Sequence, residues 1–142
     1  MYAQTTQTPG AIIMINNPQL FMEGFWNWSI LEGCFGGSTI MPSDIDGIVE
    51  KNGYLLCIET KKPGVKVGMG QDFVHKALVN SGHSVLIVWG NRDKPVRMKL
   101  ITPHVTKEYE NADLATLRMV VAKWFAFASS KKRRGKVTDA GH

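Results

Sequence analysis

Short apolar runs alternate along the chain with segments whose hydrophobic residues recur at helical spacing. Apolar and β-branched residues cluster, as in strands, at about 38–50, 54–61, 83–89 and 96–101. Hydrophobic residues separated by three or four positions occur at 18–31, 71–80 and 113–128. Strands interleaved with helices predict an α/β fold, with a central mixed β-sheet of four to five strands flanked by helices.

The first helix is predicted from its start signal. Asn17 is a suitable N-cap, and Pro18 fits the first helical position, where its missing N–H costs nothing. A helix from Pro18 to about Leu31 would carry Phe21, Gly24, Phe25, Trp28 and Leu31 on its apolar face. Gly33 and the Gly36-Gly37 pair would end it.

Asn52 and Gly53 lie between two strand-like runs and predict a two-residue hairpin. Both residues tolerate the positive φ that a type I′ turn requires. Closure at this turn places Asp46 opposite Glu59 and Asp44 opposite Lys61. Because side chains alternate along a strand, these four residues emerge on one face at one end of the hairpin.

Two adjacent carboxylates repel each other unless a cation neutralises them. Mg²⁺ suits such a pair, since it takes oxygen ligands and is usually held by one or two carboxylates. Lys61 beside it could orient or deprotonate a water, or stabilise charge on a phosphate oxygen. The alternative is a solvated cluster of surface charges, which contributes little. The uninterrupted apolar run from Tyr54 to Ile58 favours a buried strand, and therefore the metal site.

At these residues the chain resembles the PD-(D/E)XK nuclease superfamily, whose fold is restriction-endonuclease-like. The resemblance is carried by Pro42-Ser43-Asp44-Ile45-Asp46-Gly47, then a hairpin, then Glu59-Thr60-Lys61. It implies Asp46, Glu59 and Lys61 as the catalytic set and Mg²⁺ as the cofactor, for which Mn²⁺ can substitute. The proline and the acid are not adjacent, so Asp44 competes with Asp46. Members of similar size include small phage-encoded nucleases and junction resolvases.

The same resemblance suggests further site residues. In the superfamily an acid in the first helix often reaches the metal, which implies a metal-binding and catalytic role for Glu23; a solvated side chain is the alternative. Gln71 matches a polar position that relatives use near the site, although it could simply begin a helix. Lys62 and Lys66 follow the motif in a Gly-rich segment that could close over a phosphate backbone.

The net charge of +5 is concentrated at the C-terminus. Five cations lie within 131–136, including Lys131, Lys132, Arg133 and Arg134, which leaves twelve basic and twelve acidic residues elsewhere. We therefore divide the chain into a nuclease domain, 1–130, and a basic flexible tail, 131–142. The tail is predicted to contact DNA phosphates irrespective of sequence, the alternative being a solvated end.

Several other classes of protein are disfavoured. With 44% hydrophobic and 20% charged residues the chain is an ordinary globular protein, and no apolar run is long enough to cross a membrane. Residues 1–10 lack the features of a signal peptide, so we expect a cytoplasmic protein. The chain lacks a Gly-rich phosphate loop with its lysine, paired zinc-binding histidines and a serine nucleophile motif.

The predicted function is metal-dependent hydrolysis of phosphodiester bonds in DNA, by endonuclease or exonuclease action and with little sequence preference. Two alternatives stay open at this stage. One is a non-catalytic nucleic-acid-binding protein with a structural divalent ion, and the other is a ribonuclease, since no residue pattern addresses the 2′-hydroxyl. Cleavage of a junction would require a homodimer with two sites.

Overall fold

The computed structural model describes residues 2–4, 13–15 and 24–135. The chain divides into two compact units, Met1–Pro42 and Ser43–His142. The first unit contains a two-stranded antiparallel sheet of β1 (Tyr2–Gln4) and β2 (Ile13–Ile15), and a 3₁₀ helix at Trp28–Leu31.

The prediction of an α-helix over 18–31 is wrong where the structure describes that range. Residues 24–27 are a turn, a bend and coil, and only one 3₁₀ turn follows. Asn27 is the cap of that turn, with an extended backbone and a side-chain oxygen that accepts a hydrogen bond from the Ser29 amide at 3.0 Å. A side chain that bonds to the backbone in this way competes with helix continuation, so the helical spacing of the aromatic residues does not decide the structure here.

The second unit confirms the predicted fold class, an α/β structure with a five-stranded mixed sheet flanked by two helices. The strands lie in the order β3-β4-β5-β6-β7; β4 and β5 are parallel and the other neighbours are antiparallel. The elements are β3 (Gly47–Lys51), β4 (Tyr54–Lys61), α1 (Met69–Asn80), β5 (Ser84–Asn91), β6 (Lys94–Ile101), β7 (Thr106–Tyr109) and α2 (Leu114–Ser129).

The two helices cover opposite faces of the sheet. Cys57, Val85, Ile87 and Trp89 form a core with Leu78 and Val79 of α1. The alternating residues of the same strands, Leu56, Leu86 and Val88, pack with Val120 and Trp124 of α2. Because side chains point alternately up and down, a residue's position along β4 fixes which helix it meets. Within the described residues, no helix is both long enough and apolar enough to cross a lipid bilayer.

The predicted hairpin register is confirmed from Lys51–Tyr54 to Gly47–Ile58, and the turn residues Asn52 and Gly53 have φ values of 53° and 82°. The two outer pairs expected from that register, Asp46 with Glu59 and Asp44 with Lys61, are not part of the ladder, because β3 begins only at Gly47. A side chain on Gly53 would also collide with the C-terminal segment, since an added Cβ would lie 2.3 Å from the carbonyl oxygen of Arg134. Glycine is therefore required both for the turn and for this close approach.

Two boundaries of the sheet differ from the prediction. The strand expected over 38–50 begins only at Gly47, so 38–46 is not strand. Pro42 cannot donate a ladder hydrogen bond, and Asp46 uses its side chain instead of its backbone to bond β4. The short edge strand β7 was not predicted, because its residues are mostly polar and show no apolar alternation.

The segment 131–135 packs against the hairpin turn. The Arg134 amide donates to the Asn52 carbonyl at 2.8 Å, and its guanidinium donates to the Ser81 carbonyl at 2.7 Å and lies 4.9 Å from the centre of the Tyr54 ring. The Asn52 side-chain amide donates to the carbonyls of Ala128 and Lys131, both at 3.0 Å. The turn thus joins the hairpin to the end of α2.

Asn52→Gly is expected to lower the free energy of unfolding by about 2 kcal/mol, because two side-chain hydrogen bonds of roughly 1 kcal/mol each are lost while the turn is still allowed. Asn52→Ala should cost about 1 kcal/mol more, since alanine is strained at this φ. Urea unfolding of both variants measures the difference. Asp93→Gly is the control at the other described non-glycine residue with positive φ, 59°, and should change stability little. Equal stability of Asn52→Gly and wild type would show that the Asn52 hydrogen bonds to Ala128 and Lys131 do not stabilise the protein.

Candidate active site

Glu59 and Lys61 lie at the end of β4, on the face of the sheet that α1 covers. They share this face with Cys57, which belongs to the α1-side core. Glu59 is buried, with 8% of its surface exposed, and the side chain of Lys61 is 16% exposed. The apolar run that precedes them therefore carries a carboxylate and an ammonium into a largely desolvated position.

Gln71 joins the two charges. Its amide nitrogen donates to Glu59 Oε1 at 3.0 Å, and its amide oxygen accepts from Lys61 Nζ at 2.5 Å. The ammonium also lies 3.8 Å from Glu59 Oε1. Gln71 occupies the first turn of α1, so the helix start holds this side chain over the end of β4. The superfamily resemblance implied a position for Gln71 near the site, and the structure shows that its side chain contacts both charged residues.

Asp46, the residue immediately before β3, lies at the same end of the hairpin. Its Oδ2 accepts from the Thr60 amide at 2.8 Å and from the Thr60 hydroxyl at 3.1 Å. The residue lies immediately before the last ladder pair, Gly47 and Ile58, and is exposed. These bonds use one carboxylate oxygen and fix Asp46 beside the residue that separates Glu59 from Lys61.

The electrostatics of the two acids are coupled. Burial raises the pKa of Glu59, and the negative charge of Asp46 raises it further, while Lys61 and the hydrogen bond from Gln71 act in the opposite direction. The net direction is upward. One ammonium does not fully offset the cost of holding this carboxylate charged, and a bound cation would relieve it.

His75 lies one helical turn after Gln71 and lines a crevice of about 10 Å³ with Glu59 and Asp44, room for roughly one water. The ring is buried, with 6% of its surface exposed, and Nδ1 has no hydrogen-bond partner. Burial lowers the pKa of His75, so the neutral ring is favoured. Because residues four apart share one face of a helix, the spacing from Gln71 places His75 on the same side of α1.

The loop that follows β4 is held close to the site. The Trp89 indole donates to the Val65 carbonyl at 2.6 Å, and Val67 packs into the α1-side core. Lys62 and Lys66, both predicted to contact nucleic acid, are exposed on this loop. Glu23, the further predicted metal ligand, lies outside the described residues.

The four predicted phosphate contacts near the C-terminus are exposed, and three have partners in the protein. Arg133 lies 3.3 Å from Glu50, and Lys131 lies 5.3 Å from the centre of the Phe127 ring. Arg134 bonds Ser81 as described above. Each of these contacts is at the Tyr54 end of β4, remote from Glu59.

Asp46 and Glu59 are the carboxylates at this end of the hairpin that could contribute to a metal site. Mg²⁺ commonly takes one or two carboxylates from a protein and completes its shell with water or phosphate oxygens. Within the part of the chain that the structure describes, no group of three or more His, Cys, Asp or Glu residues could hold a metal. An ion here would accordingly depend on few protein ligands.

Comparison with known proteins identified no relative: the chain matches no family model, no curated protein and no solved structure.

Proposed function

We propose that this chain is a metal-dependent nuclease that hydrolyses phosphodiester bonds in DNA with little sequence preference, and that it belongs to the PD-(D/E)XK superfamily. The observation that carries this proposal is the linked set at the end of β4. Gln71 bonds both Glu59 and Lys61, and Asp46 is fixed at the same end of the hairpin. Two carboxylates and an ammonium in a partly desolvated cluster are the groups that phosphodiester hydrolysis requires.

Asp46 and Glu59 would hold the ion, Mg²⁺ or Mn²⁺. When bound there, such an ion would supply Lewis acidity toward the scissile phosphate and an attacking water.

Lys61 provides the second part of the proposed chemistry. Its ammonium is held by Gln71, 3.8 Å from Glu59 Oε1, so it can orient a water or stabilise negative charge on a phosphate oxygen. Gln71 acts as a positioning residue, because its two hydrogen bonds fix Glu59 and Lys61 relative to each other. Burial of the cluster strengthens each of these interactions relative to bulk water.

The supporting test is cleavage of a panel of duplex, single-stranded, flap and four-way-junction DNA, with RNA of the same sequence as a further arm. We expect cleavage of DNA with Mg²⁺ or Mn²⁺. Ca²⁺ accepts longer and more numerous bonds and should support binding with little cleavage. Chelation by EDTA should abolish cleavage, and added Mg²⁺ should restore it.

Each alternative has its own outcome in this panel. Cleavage that survives exhaustive chelation would rule out the metal mechanism, and cleavage of RNA alone would make the protein a ribonuclease. Saturable binding without cleavage under any metal would identify a non-catalytic nucleic-acid-binding protein. Selective cutting of four-way junctions would imply a homodimer, which sedimentation would show.

A further inference from the structure

A polar groove lies at the carboxyl ends of β4 and β5, next to the candidate active site. Thr60–Lys62 form one wall and Gly90–Asp93 the other, and the volume is about 390 Å³. This is room for roughly a dozen waters, far more than the crevice beside Glu59 offers. We call it the β4–β5 groove. Lys61 lines this groove and also belongs to the candidate active site, so the two adjoin at this residue.

The sheet register explains why the two walls lie side by side. Lys61 pairs with Trp89 in the parallel ladder of β4 and β5. Hydrogen-bonded strands are about 4.8 Å apart, so Lys62, which follows this pair, lies beside the last residues of β5, which continue to Asn91 and pair there only with β6. Lys62 on one wall and Arg92 on the other are both exposed and both follow the last ladder pair.

Both walls have a defined backbone. The register of β5 against β6 shifts between Trp89 and Gly90, and a Cβ on Gly90 would lie 2.3 Å from the Lys94 carbonyl oxygen, so only glycine fits this approach. Asp93 at φ 59° completes the turn that carries Arg92. On the other wall, the bond from the Trp89 indole to Val65 secures the loop after Lys62. Arg92 and Lys62 are thus presented by constrained segments.

The positive charge of the groove favours a polyanionic ligand. The described lining of the groove contains three cationic residues, Lys61, Lys62 and Arg92, and one acidic residue, Asp93. Asn91 also lines it. A surface of mobile lysines alone would be ordinary, but these cations border a concave space that opens onto the proposed catalytic lysine. Lysine and arginine contacts to phosphate are independent of base sequence.

We propose that the β4–β5 groove binds the DNA backbone next to the scissile phosphate, with Arg92 and Lys62 as the phosphate contacts. This inference rests on the proposed nuclease function and names how its substrate is held. Arg92 becomes a binding residue that sequence reasoning missed, because only the parallel pairing of β4 with β5 brings the turn at 91–93 beside Lys61. Contact through the backbone alone would make cleavage indifferent to sequence.

The test is affinity for a labelled DNA duplex, measured by fluorescence anisotropy in Ca²⁺ over a series of salt concentrations. Arg92→Ala and Lys62→Ala should each make the slope of log affinity against log salt shallower by roughly 0.9, and the double variant by about 1.8. Arg92→Lys keeps the charge and should keep most of the slope. Arg118→Ala is the matched control, since it removes an exposed cation from α2, on the opposite face of the sheet. In Mg²⁺, KM should rise more than kcat falls.

The outcomes separate this inference from the proposed function. If the wild type cleaves DNA but Arg92→Ala and Lys62→Ala leave the slope of log affinity against log salt unchanged, the proposed role of the groove is wrong and the proposed nuclease function stands. An equal effect of Arg118→Ala would show that only total charge matters, which also overturns it. A shallower slope in the groove variants without cleavage by the wild type would support the groove and overturn the nuclease. Absence of DNA binding by the wild type at low salt would overturn both.

Discussion

Glu59→Gln is expected to reduce DNA cleavage by more than about 100-fold while the protein stays folded. Loss of residues that merely support a metal ligand costs 10- to 100-fold, so loss of a proposed ligand should cost more. Glutamine keeps the length of the side chain and an oxygen that can accept the Gln71 hydrogen bond. Lys61→Ala should have a comparable effect on cleavage, because the ammonium beside Glu59 is then absent. Initial rates on a plasmid in Mg²⁺ measure both.

The stability of the metal-free protein distinguishes a chemical role from a structural one. Because the pKa of Glu59 is raised in the folded state, its ionisation disfavours folding at neutral pH. Glutamine removes that cost, so Glu59→Gln should be at least as stable as wild type at pH 7. In the wild type, this ionisation cost should disappear as the pH falls from the raised pKa of Glu59 in the folded protein to its lower pKa in the unfolded chain. Below that pH, the wild type and Glu59→Gln should have similar free energies of unfolding.

Glu108→Gln is the matched control, since it removes a carboxylate from the edge strand β7. It should cleave DNA at the wild-type rate. Full cleavage activity in either Glu59→Gln or Lys61→Ala would contradict the proposed catalytic role of that residue. Loss of activity accompanied by unfolding would show that the cluster serves the fold instead.

The parts of this protein that depend on local rules were predictable from its sequence. The Asn52-Gly53 turn fixes the register of the hairpin, because few residues tolerate positive φ, and that register carries Asp46 to the end where Glu59 lies. The last helix follows similarly from Asp113, whose side chain accepts from the Thr116 amide at 2.9 Å and caps it.

The parts that depend on long-range contacts were not predictable. Strand-like residues at 38–46 form no strand, and the polar strand β7 exists because β6 offers an edge to pair with. Arg134 bonds Ser81, 53 residues away, which no local pattern encodes. At the site, the superfamily resemblance implied a position near Glu59 and Lys61 for Gln71, but only the packing of α1 on the sheet shows that one amide bonds both charges.

Asp46→Asn is expected to lose cleavage by more than about 100-fold, whereas Asp44→Asn should lose much less. The structure separates the two acids. Asp46 is fixed by two hydrogen bonds from Thr60 and raises the pKa of Glu59, so its charge acts on the proposed metal-binding partner. Asp44 lies outside the strand and lines the crevice near His75.

Asparagine makes this comparison clean, because its side-chain oxygen can still accept from the Thr60 amide while the negative charge is removed. Asp46→Asn should therefore stay folded, weaken Mg²⁺ binding measured by calorimetry, and lower the pKa of Glu59, which NMR of the carboxyl carbon reports. Asp44→Asn should leave metal binding nearly unchanged. If Asp44→Asn were inactive and Asp46→Asn active, Asp44 would be the ligand, and the bonds from Thr60 would make Asp46 a residue that ends the hairpin.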